Sequence, residues 1–488
     1  MRRILLRLAS ATTFLLLLAG CAVGPNYRRP SAPVAPAWKE QAPWRAADPK
    51  DAIPKGTWWT IFGDDELNQY MAQALKASQT IEIARDQLQQ ARASVRISQS
   101  GLYPQASVGA SVLRSRTSEN RPTATSAGSV TSTDFLIPFN ASWEADVFGG
   151  VRRSIESSQA LYQSSAAALE NVRLVVTSEL AADYFNLREL DTEIAVVDSA
   201  VDYQQKALQL VQHRHDGGVA SGLDVAQQET QLNSTRTQAT LLRLQRSQFE
   251  HAMAALLGLP ASTFSVPVKP LAVPPPAFPL GLPSDILERR PDIAQAERQM
   301  ASANAQIGVA RSAYFPSFSI TGTGGFETRA ISTLINAPSA FWALGANVAQ
   351  TVLSGGRRKA QVDFATSAYG ASVAGYKQSV LNAFQEVEDG ISGLNVLAQA
   401  AQTQDLAVDA AQRALKIAND RYVGGLVTYL DVVTAEQTLL DNQRLAAQLH
   451  GQRLVTSVSL IKALGGGWDS ASLQAVHVDS NWKQIIEP

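Results

Sequence analysis

Ala84 to Pro104 reads ARDQLQQARASVRISQSGLYP, and Ala296 to Pro316 reads AERQMASANAQIGVARSAYFP. The two align without a gap, 212 positions apart, and each reads as a helix running into a strand. Two further pairs keep nearly the same spacing. Val147 to Arg153 (VFGGVRR) matches Val352 to Arg358 (VLSGGRR) 205 positions on, and Arg214 to Leu232 matches Arg421 to Leu439 207 positions on. A fixed long period means one supersecondary unit used twice. The expected division is a first repeat over 57–259 and a second over 284–465, joined by a connector at 260–283. That connector holds eight prolines, Pro274-Pro275-Pro276 among them, and reads as extended because proline fixes φ and removes an amide donor.

Each repeat reads helix, strand, turn, strand, very long helix, tight turn, long helix. The strands fall at 103–116 and 133–148 in the first repeat and at 314–328 and 340–353 in the second. Val108, Ala110 and Val112 alternate, and Thr, Ser, Gly and Pro fill the turn that follows. Phe318 and Ile320 share one face, and Phe341 and Trp342 suit a bilayer interface. No stretch after the N-terminus reaches the roughly 18 uninterrupted apolar residues of a membrane helix. A membrane crossing would therefore need a closed β-barrel, since unpaired strand edges cannot face lipid. Four strands are too few, because small barrels need about eight. The chain is expected to share one sheet with copies of itself, and three copies would supply twelve strands.

The helices carry the clearest periodicity. Leu187, Leu190, Ile194, Val197, Val201, Leu208 and Val211 form one seam, and Val373, Tyr376, Val380, Phe384, Val387, Ile391 and Leu394 form its counterpart. Ser154 to His215 contains neither Pro nor Gly, enough for a helix of roughly 90 Å at 1.5 Å per residue. The returning helices follow Gly217-Gly218 and Gly424-Gly425; the second is expected to bury Val432, Ala435, Leu439, Ala446 and Leu449. Gly149-Gly150 and Gly355-Gly356 mark the strand-to-helix passages, where an unusual φ is the physical need. The basic residues just beyond, Arg152-Arg153 and Arg357-Arg358-Lys359, read as solvated faces at least as well as lipid-headgroup contacts.

At the N-terminus, Arg2, Arg3 and Arg7 precede the apolar run Phe14 to Leu18, which leads directly into Leu18-Ala19-Gly20-Cys21. That is the order of a secretory leader with a small-residue cleavage site, so 1–20 is read as a lipoprotein signal peptide. Cys21 is the single cysteine of the chain and is read as the lipidated N-terminus of the mature protein. Position 22 is Ala rather than the Asp that retains many lipoproteins in the inner membrane. Residues 21–56 form a Pro-rich arm, and 466–488 a C-terminal tail. The whole chain carries 42 Lys plus Arg against 43 Asp plus Glu, and loss of the leader's three arginines leaves it four charges acidic. Nucleic acid is therefore not an expected partner.

These residues together resemble a known family over nearly the whole chain: the TolC-like outer-membrane factors, in their lipoprotein or NodT-type branch. The resemblance rests on Cys21 to Tyr27 (CAVGPNY), Trp58 to Phe62 (WWTIF), Asp65 to Leu67 and Trp143 to Gly149 (WEADVFG). Its most specific match is Leu282 to Ile293 (LPSDILERRPDI), which opens the second repeat. The resemblance implies an α+β membrane protein. Its trimeric twelve-stranded outer-membrane β-barrel would be continuous with a long α-helical coiled-coil periplasmic barrel, two internal repeats per chain. It implies the outer-membrane exit duct of a tripartite efflux pump, a passive conduit for drugs or other small toxic solutes. The implied partners are two further copies of the chain, outer-membrane lipid, a periplasmic membrane-fusion (adaptor) protein and an inner-membrane transporter of the RND type. The exit duct of a type I protein secretion system shares the architecture and is the alternative.

Both hairpin tips place an acid in one repeat position, Asp224 in Ser221-Gly-Leu-Asp and Asp431 in Thr428-Tyr-Leu-Asp. Each fits a Ser/Thr-x-x-Asp variant of the capping box. The resemblance adds a gating role. It implies a constriction built from Asp431, with Thr434 at the family's second acidic position and Leu426 and Leu430 as an apolar collar. It also implies a latch from Tyr422 to Asp224. Three Asp431 carboxylates around a three-fold axis would repel one another and attract cations. No Gly-rich phosphate loop or nucleophile motif stands in a suitable context, so neither an enzyme nor a bound cofactor is expected. His213 and His215 are the one close histidine pair and a weak metal signal.

Overall fold

The computed structural model describes residues 22–32, 38–39, 56–120, 131–276, 289–468 and 470–478. Cys21, the leader before it and the 282–288 part of the second-repeat motif lie outside the described residues.

The elements follow in repeat order. The first repeat holds α1 (Asp65–Ala77), α2 (Gln79–Ser100), β1 (Gln105–Val108), β2 (Ser111–Arg116), β3 (Thr131–Ala145), α3 (Gly150–Asp216) and α4 (Gly222–Leu256). The second holds α5 (Pro291–Ser312), β4 (Ser317–Thr328), β5 (Ala340–Ala349), α6 (Arg357–Val423) and α7 (Tyr429–Ala463). Duplication is visible in the lengths: α2 and α5 have 22 residues each, α3 and α6 67, α4 and α7 35. At 1.5 Å per residue a 67-residue helix runs roughly 100 Å.

Strand passes into helix through glycine in the left-handed region, Gly149 at φ 78° and Gly356 at φ 84°. In the first repeat Asp146 then accepts the amides of Val151 and Arg152 at 3.0 and 2.9 Å, satisfying two of the donors that a helix start leaves free.

The strands form one antiparallel sheet in the order β1/β2, β3, β4, β5. β1 and β2 keep one register against β3, with Val108 opposite Phe139 and Ser111 opposite Leu136. The break between them faces Pro138, which has no amide to give. Among the described residues, four strand positions thus come from five segments. β3 of the first repeat pairs with β4 of the second over Phe135 to Ala145, so the sheet welds the repeats together and leaves β1/β2 and β5 as its outer strands. Trp342 on β5 is 83% exposed. No helix among the described residues is long and apolar enough to cross a membrane.

The helical seams bury most of the expected residues. Leu187, Leu190, Ile194, Val197 and Val211 are buried on α3, and Tyr376, Val380, Val387, Ile391 and Leu394 on α6. On α7 the reading needs correction. Val432 and Leu449 are buried as expected, but the rest of the seam runs through Glu436, Leu440 and Ala447 instead of Ala435, Leu439 and Ala446. Both rows are largely apolar, and the carboxyl at 436 disguised the one that faces the first hairpin.

The described parts of the arm and the connector are tightly fastened. Arg153, expected in solvent, is 4% exposed. Its guanidinium donates to the carbonyls of Val23 and Gly24 and to the Asn26 side chain, while the Val23 amide donates to the Phe148 carbonyl at 3.0 Å. Farther along, Tyr27 reaches Glu297, and Arg29 donates to the Tyr376 hydroxyl at 3.1 Å. The connector is strapped to α3 and α4. Arg188 and Arg246 donate to the carbonyls of Pro267 and Val266 at 2.6 and 2.7 Å, and Asp191, fully buried, accepts the Lys269 amide at 2.9 Å.

Candidate functional site

The tips of the two long hairpins, α3–α4 and α6–α7, concentrate the polar chemistry singled out in the sequence. Each return helix opens on a capping box. Asp224 donates its amide to Ser221 Oγ at 3.2 Å and accepts the Ser221 amide at 3.0 Å. Asp431 accepts the Thr428 amide at 3.0 Å and the Thr428 hydroxyl at 2.8 Å. Both acids thus fasten their own turns, an arrangement that contributes about 1 kcal/mol per cap. His215 places Nδ1 2.9 Å from the Ala220 carbonyl and so belongs to the first turn. Among the described residues no group of His, Cys, Asp and Glu is placed to hold a metal ion.

Leu426, Leu430, Asp431 and Thr434 are each exposed at the second tip. Leu426 is 71% and Leu430 54% exposed in the single chain. Thr434 donates its hydroxyl to the Leu430 carbonyl at 2.8 Å, which turns its side chain back along the helix.

The tie between the hairpins differs from the expected Tyr422–Asp224 pair. Asp224 spends an oxygen on its cap. It stands near enough to Tyr422 to add to the rise in that phenol's pKa, behind the larger effect of burial and against Arg214. The Tyr422 ring instead lies under the Arg214 guanidinium, 4.7 Å from Cζ to the ring centre, and packs on Tyr429 at 4.9 Å. Tyr429 in turn donates its hydroxyl to Gln228 Oε1 at 2.8 Å, and Gln228 Nε2 donates to the Gln204 carbonyl at 2.9 Å. Val211, Tyr422, Tyr429 and Val432 close over these bonds as a small apolar cluster. One turn up, Gln231 Nε2 donates to Gln437 Oε1 at 2.5 Å.

Sequence reasoning missed Arg214, Gln228, Tyr429 and Glu436. A signal for Gln228 and Tyr429 lies in the repeat itself, whereas Arg214 matches Arg421. Tyr429 stands where the first repeat has Gly222, Tyr422 where it has His215, and Gln228 where the second has Ala435. The repeats diverge at these three positions, which meet across the tips. Cys21 lies outside the described residues. The next residue, Ala22, packs so closely on Gly149 that a Cβ on that glycine would stand 2.7 Å from the Ala22 Cα. The described part of the arm therefore begins at the junction of β3 and α3.

Comparison with known proteins agrees in fold and length. The family described as outer membrane efflux protein matches residues 71–259 and 282–466. The pyoverdine export outer membrane protein OpmQ of Pseudomonas aeruginosa is 32% identical, over 93% of this chain and 96% of its own length. The toluene efflux pump outer membrane protein TtgF of Pseudomonas putida is 30% identical, over 94% and 96%. The cation efflux system protein CusC of Escherichia coli is 30% identical, over 93% and 97%. Among solved structures, the outer-membrane channel OprN superposes with a TM-score of 0.83 at 28% identity, covering 92% of this chain and all of that one.

Proposed function

This chain belongs to the outer membrane efflux protein family, and from that premise we propose that three copies close into the exit duct of a tripartite efflux pump. It is an outer-membrane efflux channel protein with a large periplasmic extension. The observation that carries the proposal is one four-position sheet, open along β1/β2 and β5 in the single chain, continuous with two hairpins of 67- and 35-residue helices. Pairing β5 of one copy with β1/β2 of the next removes every exposed edge and gives a twelve-stranded barrel. Lipid on Cys21 would join the membrane beside the β3–α3 junction, where the arm begins.

The partners are a periplasmic adaptor protein and an inner-membrane transporter of the RND type, and the cargo is drugs or other small toxic solutes. Pyoverdine, toluene and cations stand in the names of relatives of nearly equal identity. That spread supports a passive conduit whose cargo is chosen elsewhere in the pump. The test is the mass of the purified protein in detergent together with drug susceptibility of a deletion strain. A trimer, and susceptibility restored by the gene, support the proposal; a monomer or dimer, or a deletion that alters no susceptibility, contradicts it.

A further inference from the structure

The seam just above the tips contains a carboxyl group that the tie between the hairpins does not use. Glu436 is 4% exposed, and neither carboxylate oxygen has a hydrogen-bond partner. It lies on α7 between Val432, which packs with Val211 of α3, and Leu440, which packs with Ile194 and Val197 of α3. Gln204 on α3 is 1% exposed and its Oε1 is likewise without a donor. Among the described residues, none donates to these three buried acceptor oxygens.

A buried carboxylate with neither cation nor donor is costly, and such a group takes a proton instead. We propose that Glu436 is a proton-binding site that holds the second hairpin against the first while its carboxyl is protonated, and loosens that seam when it ionises. The groups that face it are the Tyr203 phenol from α3 and the Tyr429 phenol from its own helix, whose pKa values are raised by burial first and by Glu436 second. Gln228 from α4 is uncharged. No charged side chain of α3, α4 or α6 among the described residues offsets the effect of burial, which lifts Glu436 from 4.5 to about 7.

The sign follows from linkage. The closed seam has the raised pKa, so the stabilisation is fully present below about 4.5 and is lost as pH rises to about 7. Across that window the closed-to-loosened ratio should fall roughly tenfold per pH unit in each protomer. In the duct reading, the loosened hairpin is the inner one that carries Asp431 and Leu430. The seam itself does not depend on that reading.

Hydrogen–deuterium exchange of the purified full-length protein reads the seam without any assay of conduction. Wild type and Glu436→Gln, which mimics the protonated acid, are compared over residues 429–440 at about pH 4 and about pH 9, where their ratio cancels intrinsic exchange chemistry. Equal protection at the lower pH, with wild type exchanging at least tenfold faster at the higher, supports the proposal. A ratio that does not change with pH overturns it, and so does wild-type protection at the higher pH that varies with the identity of the salt cation. Should Glu436→Gln fail to fold, the wild-type pH dependence of 429–440 relative to α5 gives the same decision. Loss of pore activity with the exchange pattern intact would count against the duct and leave the proton site standing.

Discussion

The Tyr429 hydroxyl donates to Gln228 Oε1 at 2.8 Å, joining the second hairpin to the first through two side chains that are almost wholly buried. Tyr429→Phe keeps the ring against Tyr422 but leaves Gln228 Oε1 without its donor, a loss of about 1–3 kcal/mol. The expected outcome is faster amide exchange at both tips with an unchanged sheet. Exchange confined to the sheet would contradict it.

Arg214 over Tyr422 makes a different prediction from a Tyr422–Asp224 hydrogen bond. Tyr422→Phe preserves the ring face and should leave tip protection near wild type, whereas Arg214→Ala should cost about 0.5–2 kcal/mol. A hydroxyl-mediated latch would give the reverse order. Asp224→Ala should cost about 1 kcal/mol through the lost cap alone.

Midway along the hairpins, Glu189 and Glu193 lie one turn apart on α3. Glu193 accepts from Arg444 at 2.6 Å, and Glu189 is pushed up to about 8, by burial first and then by Glu193. A raised carboxyl pKa means stability that is fully present below 4.5 and lost as pH rises through about 8. The melting temperature should fall across that window, and Glu189→Gln should flatten the fall. Gly451 of α7 makes room for this side chain, since a Cβ there would stand 2.4 Å from Glu189 Cγ. Gly451→Ala should therefore cost about 1–3 kcal/mol of overpacking.

Repeat matching made the architecture legible, because equal lengths of α3 and α6 and of α4 and α7 are what two copies of one pattern produce. Strand positions were legible too, apart from the break opposite Pro138. The tip acids were visible as caps and take that place. What escaped was the partner of each buried polar group. Periodicity locates a buried face but does not say that Gln228 and Tyr429 meet across it, nor that Glu436 rather than Ala435 points inward. Arg153 escaped for a related reason: two of its partners are backbone carbonyls of the arm, and carbonyls carry no residue signature.

Cys21 follows from the leader and precedes an arm seated on Arg153. A single lipid signal anchors only marginally, so Cys21→Ala should impair delivery to the outer membrane more than it alters the folded pore. Mass spectrometry of the mature protein should find acylated Cys21 as its first residue. An unmodified thiol, or residues 1–20 still attached, would overturn the assignment.

In the proposed trimeric duct the bore is narrowest where the hairpin tips meet, and single-channel conductance of the purified protein in a planar bilayer reads that narrowing. Wild type should show a low resting conductance blocked by multivalent cations. Arg214→Ala combined with Tyr429→Phe should raise that conductance, and Asp431→Ala should relieve the block. Pores that conduct fully at rest and respond to none of these substitutions, in channels that still trimerise, would contradict the account.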